Sequence, residues 1–208
     1  MPVDFTKTEK DLYQTSANPS IIDVPDMTFI MADGTGNPNT SETYKTAVEI
    51  LYGLSYAIKM SSKSGNAPVG FFEYVVLPLE GLWWLADKTE TNFSQKDKYH
   101  WTAMIRQPYF VTTEVFEASK AALAKKKPEL DLSFARLSRF TEGLCAQILH
   151  TGSYDNEPET IEFLERFVSE SGYRTDISDK RRHHEIYLNN PQKTAPDKLK
   201  TIIRHPIK

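Results

Sequence analysis

EGLCAQILHTGSYDNEPETIEFLERFVSESGY, residues 142–173, reads in order as a buried strand, a glycine turn, an amphipathic helix and a glycine stop. Apolar or small residues fill most of Leu144–Leu149, too few for a helix of usual length but enough for a strand covered on both faces. Gly152 breaks the run, and Asp155 and Asn156 supply turn and cap chemistry. Pro158 fits a first helical turn, and Glu159 places negative charge near the positive end of the dipole. Ile161, Leu164 and Val168 then recur at helical spacing among charged residues, until Gly172 stops the helix.

A weaker copy lies upstream in DMTFIMADGTGNPNTSETYKTAVEILYGLSYAIK, residues 26–59. Thr28–Ala32 reads as the strand and Gly34 and Gly36 as the turn. Tyr44, Ala47, Val48, Leu51 and Ile58 form the stripe of the following helix. A strand, glycine turn and helix recurring half a chain apart suggest internal duplication.

Elsewhere the chain punctuates itself. Residues 1–25 are polar and read as a loose arm or short flap. Val69–Val76 and Leu79–Ala86 read as strand material split at Pro78, and 88–98 as a polar connection. Tyr99–Arg106 alternates, with Trp101, Ala103 and Ile105 on one face. Thr112–Lys127 has the caps and composition of a helix and no counterpart in the first copy, so it reads as an insertion. Ser133–Phe140, His183–Leu188 and Lys198–Ile207 complete the strands. The expected fold is α+β, with two β-α-β-β runs at 26–107 and 133–208, an inserted helix and linker at 108–132, and helices on one face of a curved antiparallel sheet.

The chain of 208 residues is 39% hydrophobic and 25% charged, ordinary for a globular domain. A formal charge of −3 argues against a general nucleic-acid surface, and the longest apolar stretch is interrupted by Glu73, Pro78 and Glu80, so no membrane span is expected. Without an apolar leader, and with Cys145 alone in a strand pattern, the expected compartment is reducing and cytoplasmic. Burial also makes Cys145 a poor nucleophile. No Walker loop, dinucleotide fingerprint or G-x-S-x-G elbow occurs, and no spacing of His, Cys, Asp and Glu suggests a metal, so neither cofactor nor metal is expected. Aromatic residues at 12% leave room for a ring-lined pocket.

HHEIYLNN, residues 183–190, is where chemistry concentrates. In a strand, Ile186 and Leu188 share one face and His183, Glu185 and Tyr187 the other. If the apolar face lies under the helices, Glu185 and Tyr187 look out from the opposite side. Taken alone, that segment is better read as an ordinary solvent-facing pair.

The chain resembles the GyrI-like family of small-molecule-binding domains, which also serve as effector-binding domains of multidrug-sensing regulators. The resemblance rests on His150, Gly152, Tyr154 and Asp155 in an H-x-G-x-Y-D turn, on Glu185, Ile186, Tyr187 and Leu188 with Asn189 and Pro191, and on the closing Pro206 and Ile207. It is clear over 142–207 and faint over 26–106. It implies tandem β-α-β-β modules around a ligand cleft that Glu185 faces. FFEYVVLPLEGLWW, residues 71–84, resembles a subgroup of stand-alone members, some relatives of which hydrolyse cyclopropane-containing DNA-alkylating toxins.

On that resemblance Glu185 becomes the candidate base and Tyr187 the candidate donor to a developing oxyanion. Trp83 and Trp84 must point apart in a strand, and Trp84 is taken as the cleft residue. Trp101 is its candidate partner against a flat ring. Tyr56 and Phe140 can serve cleft or core, and His183 lies on the Glu185 face near the strand edge, where solvent is the simpler reading. The expected partner is a small aromatic molecule, with no obligate protein partner. The alternatives are a binder that sequesters or senses flat, cationic drugs without changing them, and an inhibitory protein of the gyrase-binding type.

Overall fold

The structure, a computed structural model, describes residues 1–85 and 96–208. The polar connection expected at 88–98 lies mostly outside the described residues, as does Ala86. Two short helices open the chain, α1 (Phe5–Thr8) and α2 (Lys10–Tyr13). There follow β1 (Ser20–Thr35), α3 (Glu42–Met60), β2 (Leu79–Leu85), β3 (Tyr99–Gln107) and α4 (Thr113–Lys126). β4 (Ala135–Thr151), α5 (Glu157–Glu170), β5 (His183–Tyr187) and β6 (Lys200–Pro206) complete it. The fold is mixed α+β with antiparallel pairing, and its element order after α2 is β-α-β-β, a helix, then β-α-β-β.

Contacts divide the chain into two units that are not contiguous in sequence. The first holds Met1–Phe5, Met27–Leu79 and Trp84–Phe140. In it β1 pairs with β3, setting Gly34 opposite Trp101 and Phe29 opposite Arg106. Ser41 caps α3 by accepting from the Tyr44 N–H, and Ala47, Ile50, Leu51, Leu54 and Ile58 form its buried stripe. Thr112 caps α4 in the same way, accepting from the Val115 N–H. Lys127, just past that helix, pairs with Glu49 of α3. The strand expected over Val69–Val76 does not form, and only Tyr74 is bridged, to Val3. Phe71, Phe72 and Tyr74 instead pack around Phe110, with ring centroids 5.4 to 5.9 Å from it. Burying rings on both sides of a run competes with strand alternation, and here packing wins.

The second unit holds Thr6–Asp26, Glu80–Trp83 and Thr141–Lys208. Its strands pair in the order β2-β5-β6-β4, with Gly81 opposite Glu185, Glu185 opposite Ile203 and Ala146 opposite His205. Residues opposed across an antiparallel pair share a face. Leu164 and Val168 of α5 pack on Ala146, Ile148, Ile203 and Ile207, so α5 covers the face that carries Ile203 and Glu185. α2 lies against the other face: Arg204 donates to the Leu12 carbonyl at 3.0 Å and Gln147 to the Asp11 carbonyl at 2.8 Å.

Two expectations are corrected here. The helices of this unit do not all share one side of the strands, because the buried Arg204 and Gln147 each place an N–H on an α2 carbonyl from the other face. Residues 1–25 are also not a loose arm. Leu12, Tyr13 and Val24 are buried, and β1 begins at Ser20 rather than Thr28.

Candidate functional site

β5 carries the site. His183, Glu185 and Tyr187 alternate onto one face and connect side chain to side chain. His183 Nε2 lies 2.8 Å from Glu185 Oε1, and the Tyr187 hydroxyl donates to Glu185 Oε2 at 2.6 Å. Trp83, opposite His183 across the β2–β5 pair, donates its indole N–H to the Tyr187 oxygen at 3.0 Å. On the other side His183 Nδ1 meets His205 Nε2 at 2.7 Å. The result is a line from His205 through His183, Glu185 and Tyr187 to Trp83.

His183 and His205 are buried, whereas the Glu185 side chain keeps 13% of its surface exposed. Tyr154, at the turn before α5, stands edge-on to Tyr187 at 5.9 Å. Its phenol is pushed up to about 12 by burial and by Glu185 and Glu157. A carboxylate is therefore held at two oxygens inside a wall of Trp83, Tyr154 and Tyr187. His150 braces the turn before α5, with contacts to Thr160 Oγ1 at 2.8 Å and the Ser153 carbonyl at 3.1 Å. The Asn156 side chain, however, does not cap α5; turn chemistry comes from Ser153, whose hydroxyl accepts from the Asp155 N–H.

The sequence expectations fare unequally. Glu185, Tyr187 and His183 do share a face, but it is the face that α5 covers, not the one turned away from it. His183 is buried rather than solvent-facing, because His205 and Glu185 take both ring nitrogens. Of the two adjacent tryptophans it is Trp83 that joins the site. Trp84 belongs to the first unit and stacks on His100, ring centroids 5.8 Å apart. Trp101 is fully buried there, edge-on to Tyr44 at 5.0 Å, and so is a core residue. Tyr56 is half exposed and stacks on Tyr52, and Phe140 meets Phe29 edge-on. Trp83, Tyr154 and His205 went unrecognised in the site.

The opposite face of the same strands holds a second polar group. His184 lies 3.0 Å from Glu142 through Nδ1 and 3.0 Å from Glu80 through Nε2. Arg204 donates to Glu142 at 3.0 Å and to Gln147 at 2.9 and 3.1 Å. All five side chains are buried. Burial opposes charge on His184, but Glu142 and Glu80 outweigh it and raise the imidazole to about 9. Burial likewise opposes the Glu142 carboxylate, yet His184 and Arg204 hold it down at about 2. Closed to solvent, and paired except at Glu80 Oε1, this cluster has the character of a structural ion network. Cys145 beside it is buried, which pushes its thiol well up. Among the described residues no group of three His, Cys, Asp or Glu side chains could hold a metal ion, and no helix is long and apolar enough to cross a membrane.

A family model for the GyrI-like small molecule binding domain matches residues 17–208. The crystal structure of a hydrolase from Listeria innocua is 42% identical, covers 99% of this chain and 100% of its own, and has a TM-score of 0.91. That of an uncharacterized conserved protein from the same organism is 43% identical with the same coverage and a TM-score of 0.94. The C-terminal domain of EcmrR, 11% identical over 92% of this chain and 97% of its own with a TM-score of 0.54, shares the fold alone. No curated protein matches the sequence.

Proposed function

The chain belongs to the GyrI-like family of small-molecule-binding domains, and from that premise we propose that it binds a flat aromatic electrophile against Trp83, Tyr154 and Tyr187 and hydrolyses it with Glu185 as base. The observation that carries this reading is the Glu185 carboxylate itself: held by Tyr187 and His183, walled by rings, yet still partly open. A carboxylate so fixed can take a proton from an attacking water without first paying to be oriented. The hydrolases of Listeria innocua at 41 and 42% identity, matched over full length, support the reaction class.

For a strained three-membered ring conjugated to a carbonyl, the steps balance with water alone. The water oxygen bonds to a ring carbon, the ring C–C bond breaks, and its electron pair moves onto the conjugated oxygen. Glu185 takes the proton from water and returns it to that oxygen. Cyclopropanoid DNA-alkylating toxins, the substrates suggested by the family resemblance, fit this chemistry. The Tyr187 hydroxyl donates to Glu185 Oε2, so Tyr187 acts first by aiming the carboxylate rather than by donating to substrate. We read the runs 26–107 and 133–208 as a duplicated module with 108–132 inserted.

Glu185→Gln is expected to keep ligand affinity and lose ~100- to 10,000-fold in turnover. The check is incubation with a panel of flat aromatic electrophiles, followed by mass spectrometry for water-added product. Unchanged turnover in the variant removes Glu185 from the role. A second reading has its own support, since a carboxylate among three rings also suits an aromatic cation held without reaction. It predicts retained, unaltered ligand and weaker binding of cations alone in Glu185→Gln.

A further inference from the structure

His205 has no place in the reading above, and three observations give it one. It is buried on β6, where it faces α5. Its Nε2 lies 2.7 Å from His183 Nδ1, and His183 Nε2 lies 2.8 Å from Glu185 Oε1. Its other nitrogen, Nδ1, has no hydrogen-bond partner among the described residues; the nearest carboxylate oxygen, Glu165 Oε1, stands 3.8 Å away.

We propose that His205 is a positioning residue for Glu185: it donates its Nε2–H to His183 Nδ1, which fixes His183 as the Nε2–H tautomer and aims that proton at the Glu185 carboxylate. The argument is one of donors and acceptors. An ionised carboxylate can only accept, so His183 must donate from Nε2. A neutral His183 then has only a lone pair at Nδ1, which must meet a donor, and His205 Nε2 is the atom there. His205 in turn keeps a lone pair at Nδ1, where no hydrogen-bonded acceptor waits. Burial, the largest influence on it, holds His205 well below the ordinary histidine range and so keeps it neutral. Every hydrogen bond in the line then points toward Glu185, from His205 and His183 on one side and from Trp83 and Tyr187 on the other. The alternative, a proton relay, would need a hydrogen-bonded partner at His205 Nδ1, and the line ends there.

The inference rests on Glu185 being the working carboxylate of the proposed site, but its first test needs no ligand. Two-bond proton–nitrogen correlation spectra of the 15N-labelled full chain report the tautomer of each imidazole. His183 is expected as the Nε2–H form in the parent protein. It should remain so in His205→Gln, whose amide N–H can replace the imidazole donor, and change or become mixed in His205→Leu. A His183 that is Nδ1–H in the parent, or that is unaltered in His205→Leu, overturns the proposal. Turnover of an electrophile by the parent should survive in His205→Gln and fall about tenfold or more in His205→Leu, since small misplacements of a reacting group cost rate steeply. Equal losses in the two variants favour a relay and also overturn it. A parent protein inert toward every electrophile sinks the hydrolase reading alone, while the tautomer measurement still decides the role of His205.

Discussion

At the scale of single residues, the site depends on a side chain that is missing. A Cβ placed on Gly81 would stand 2.6 Å from Trp83 Nε1 and 3.0 Å from its Cε2, so the indole lies over the bare backbone at position 81 to reach Tyr187. Gly81→Ala must therefore move the indole and break the Trp83–Tyr187 hydrogen bond. We expect a loss of about 1–3 kcal/mol in stability, with weaker ligand binding. Trp83→Phe keeps a ring but no donor, and should cost about 1 kcal/mol for the lost hydrogen bond. Chemical denaturation of both variants checks the first pair of numbers, and ligand titration the binding. If Gly81→Ala leaves stability and binding at parental values, the indole does not depend on that space. The same detail separates the two tryptophans, of which Trp83 bonds Tyr187 and Trp84 stacks on His100. Alternation requires Trp83 and Trp84 to face opposite ways, but two identical neighbours do not say which is which. What decides it is the glycine two positions before Trp83 on the same face, a signal present in GLWW and easily taken for a break.

At the scale of elements, β5 was legible in its alternation and not in its orientation. His183, Glu185 and Tyr187 separate from His184 and Ile186 as the period of two demands. Ile186 suggested that its own face meets the helices, yet that face also bears His184, whose partners Glu80 and Glu142 come from β2 and β4 and whose partner Glu142 is in turn held by Arg204 of β6. Glu80, Glu142 and Arg204 are scattered through the chain, and no local pattern links them. α3, α4 and α5 were readable because their signals are local, caps at Ser41 and Thr112 for the first two and an apolar stripe with a glycine stop for α5, whereas the strand expected at Val69–Val76 failed because its rings pack on Phe110 from another segment. Gly34 was read as a turn residue, but it lies within β1 opposite Trp101, and a Cβ there would sit 2.2 Å from the indole Cζ2. The β1–β3 pair is thus built around one large and one absent side chain. Gly34→Ala should destabilise by about 1–3 kcal/mol or more, the usual cost of overpacking. In a Trp101→Phe background, where the clashing atoms are gone, the same change should cost markedly less. A double-mutant cycle in denaturant measures the difference, and additivity would show that the indole and the glycine do not compete for space.

At the scale of the whole molecule, the buried ion network ties stability to pH. Glu80 and Glu142 bring two negative charges, Arg204 and a protonated His184 two positive ones, and the four residues come from β2, β4, β5 and β6. The network is complete only when those strands are in register, so it acts as a check on pairing as much as a source of energy. Folding raises His184 from its ordinary 6.5 to about 9, so its contribution is whole below 6.5 and is lost as pH climbs through 9. Each unit of that interval is worth ~1.4 kcal/mol, giving a decline on the order of 3 kcal/mol across it. On the acid side two groups act in the opposite direction. His205, depressed on folding, leaves the unfolded chain to gain a proton first below 6.5, so stability falls as pH drops. Glu142, depressed from 4.5 to about 2, adds a further loss below 4.5. Stability should therefore peak near pH 6.5 and fall on both sides. Denaturation midpoints from pH 4 to 10 test the curve, and His184→Gln tests its cause. That variant should be less stable near neutrality and nearly level from 6.5 to 9, since the group whose proton was being lost is gone. If it still declines as steeply as the parent over that interval, the alkaline arm belongs to another residue and the imidazole is not the network's second cation.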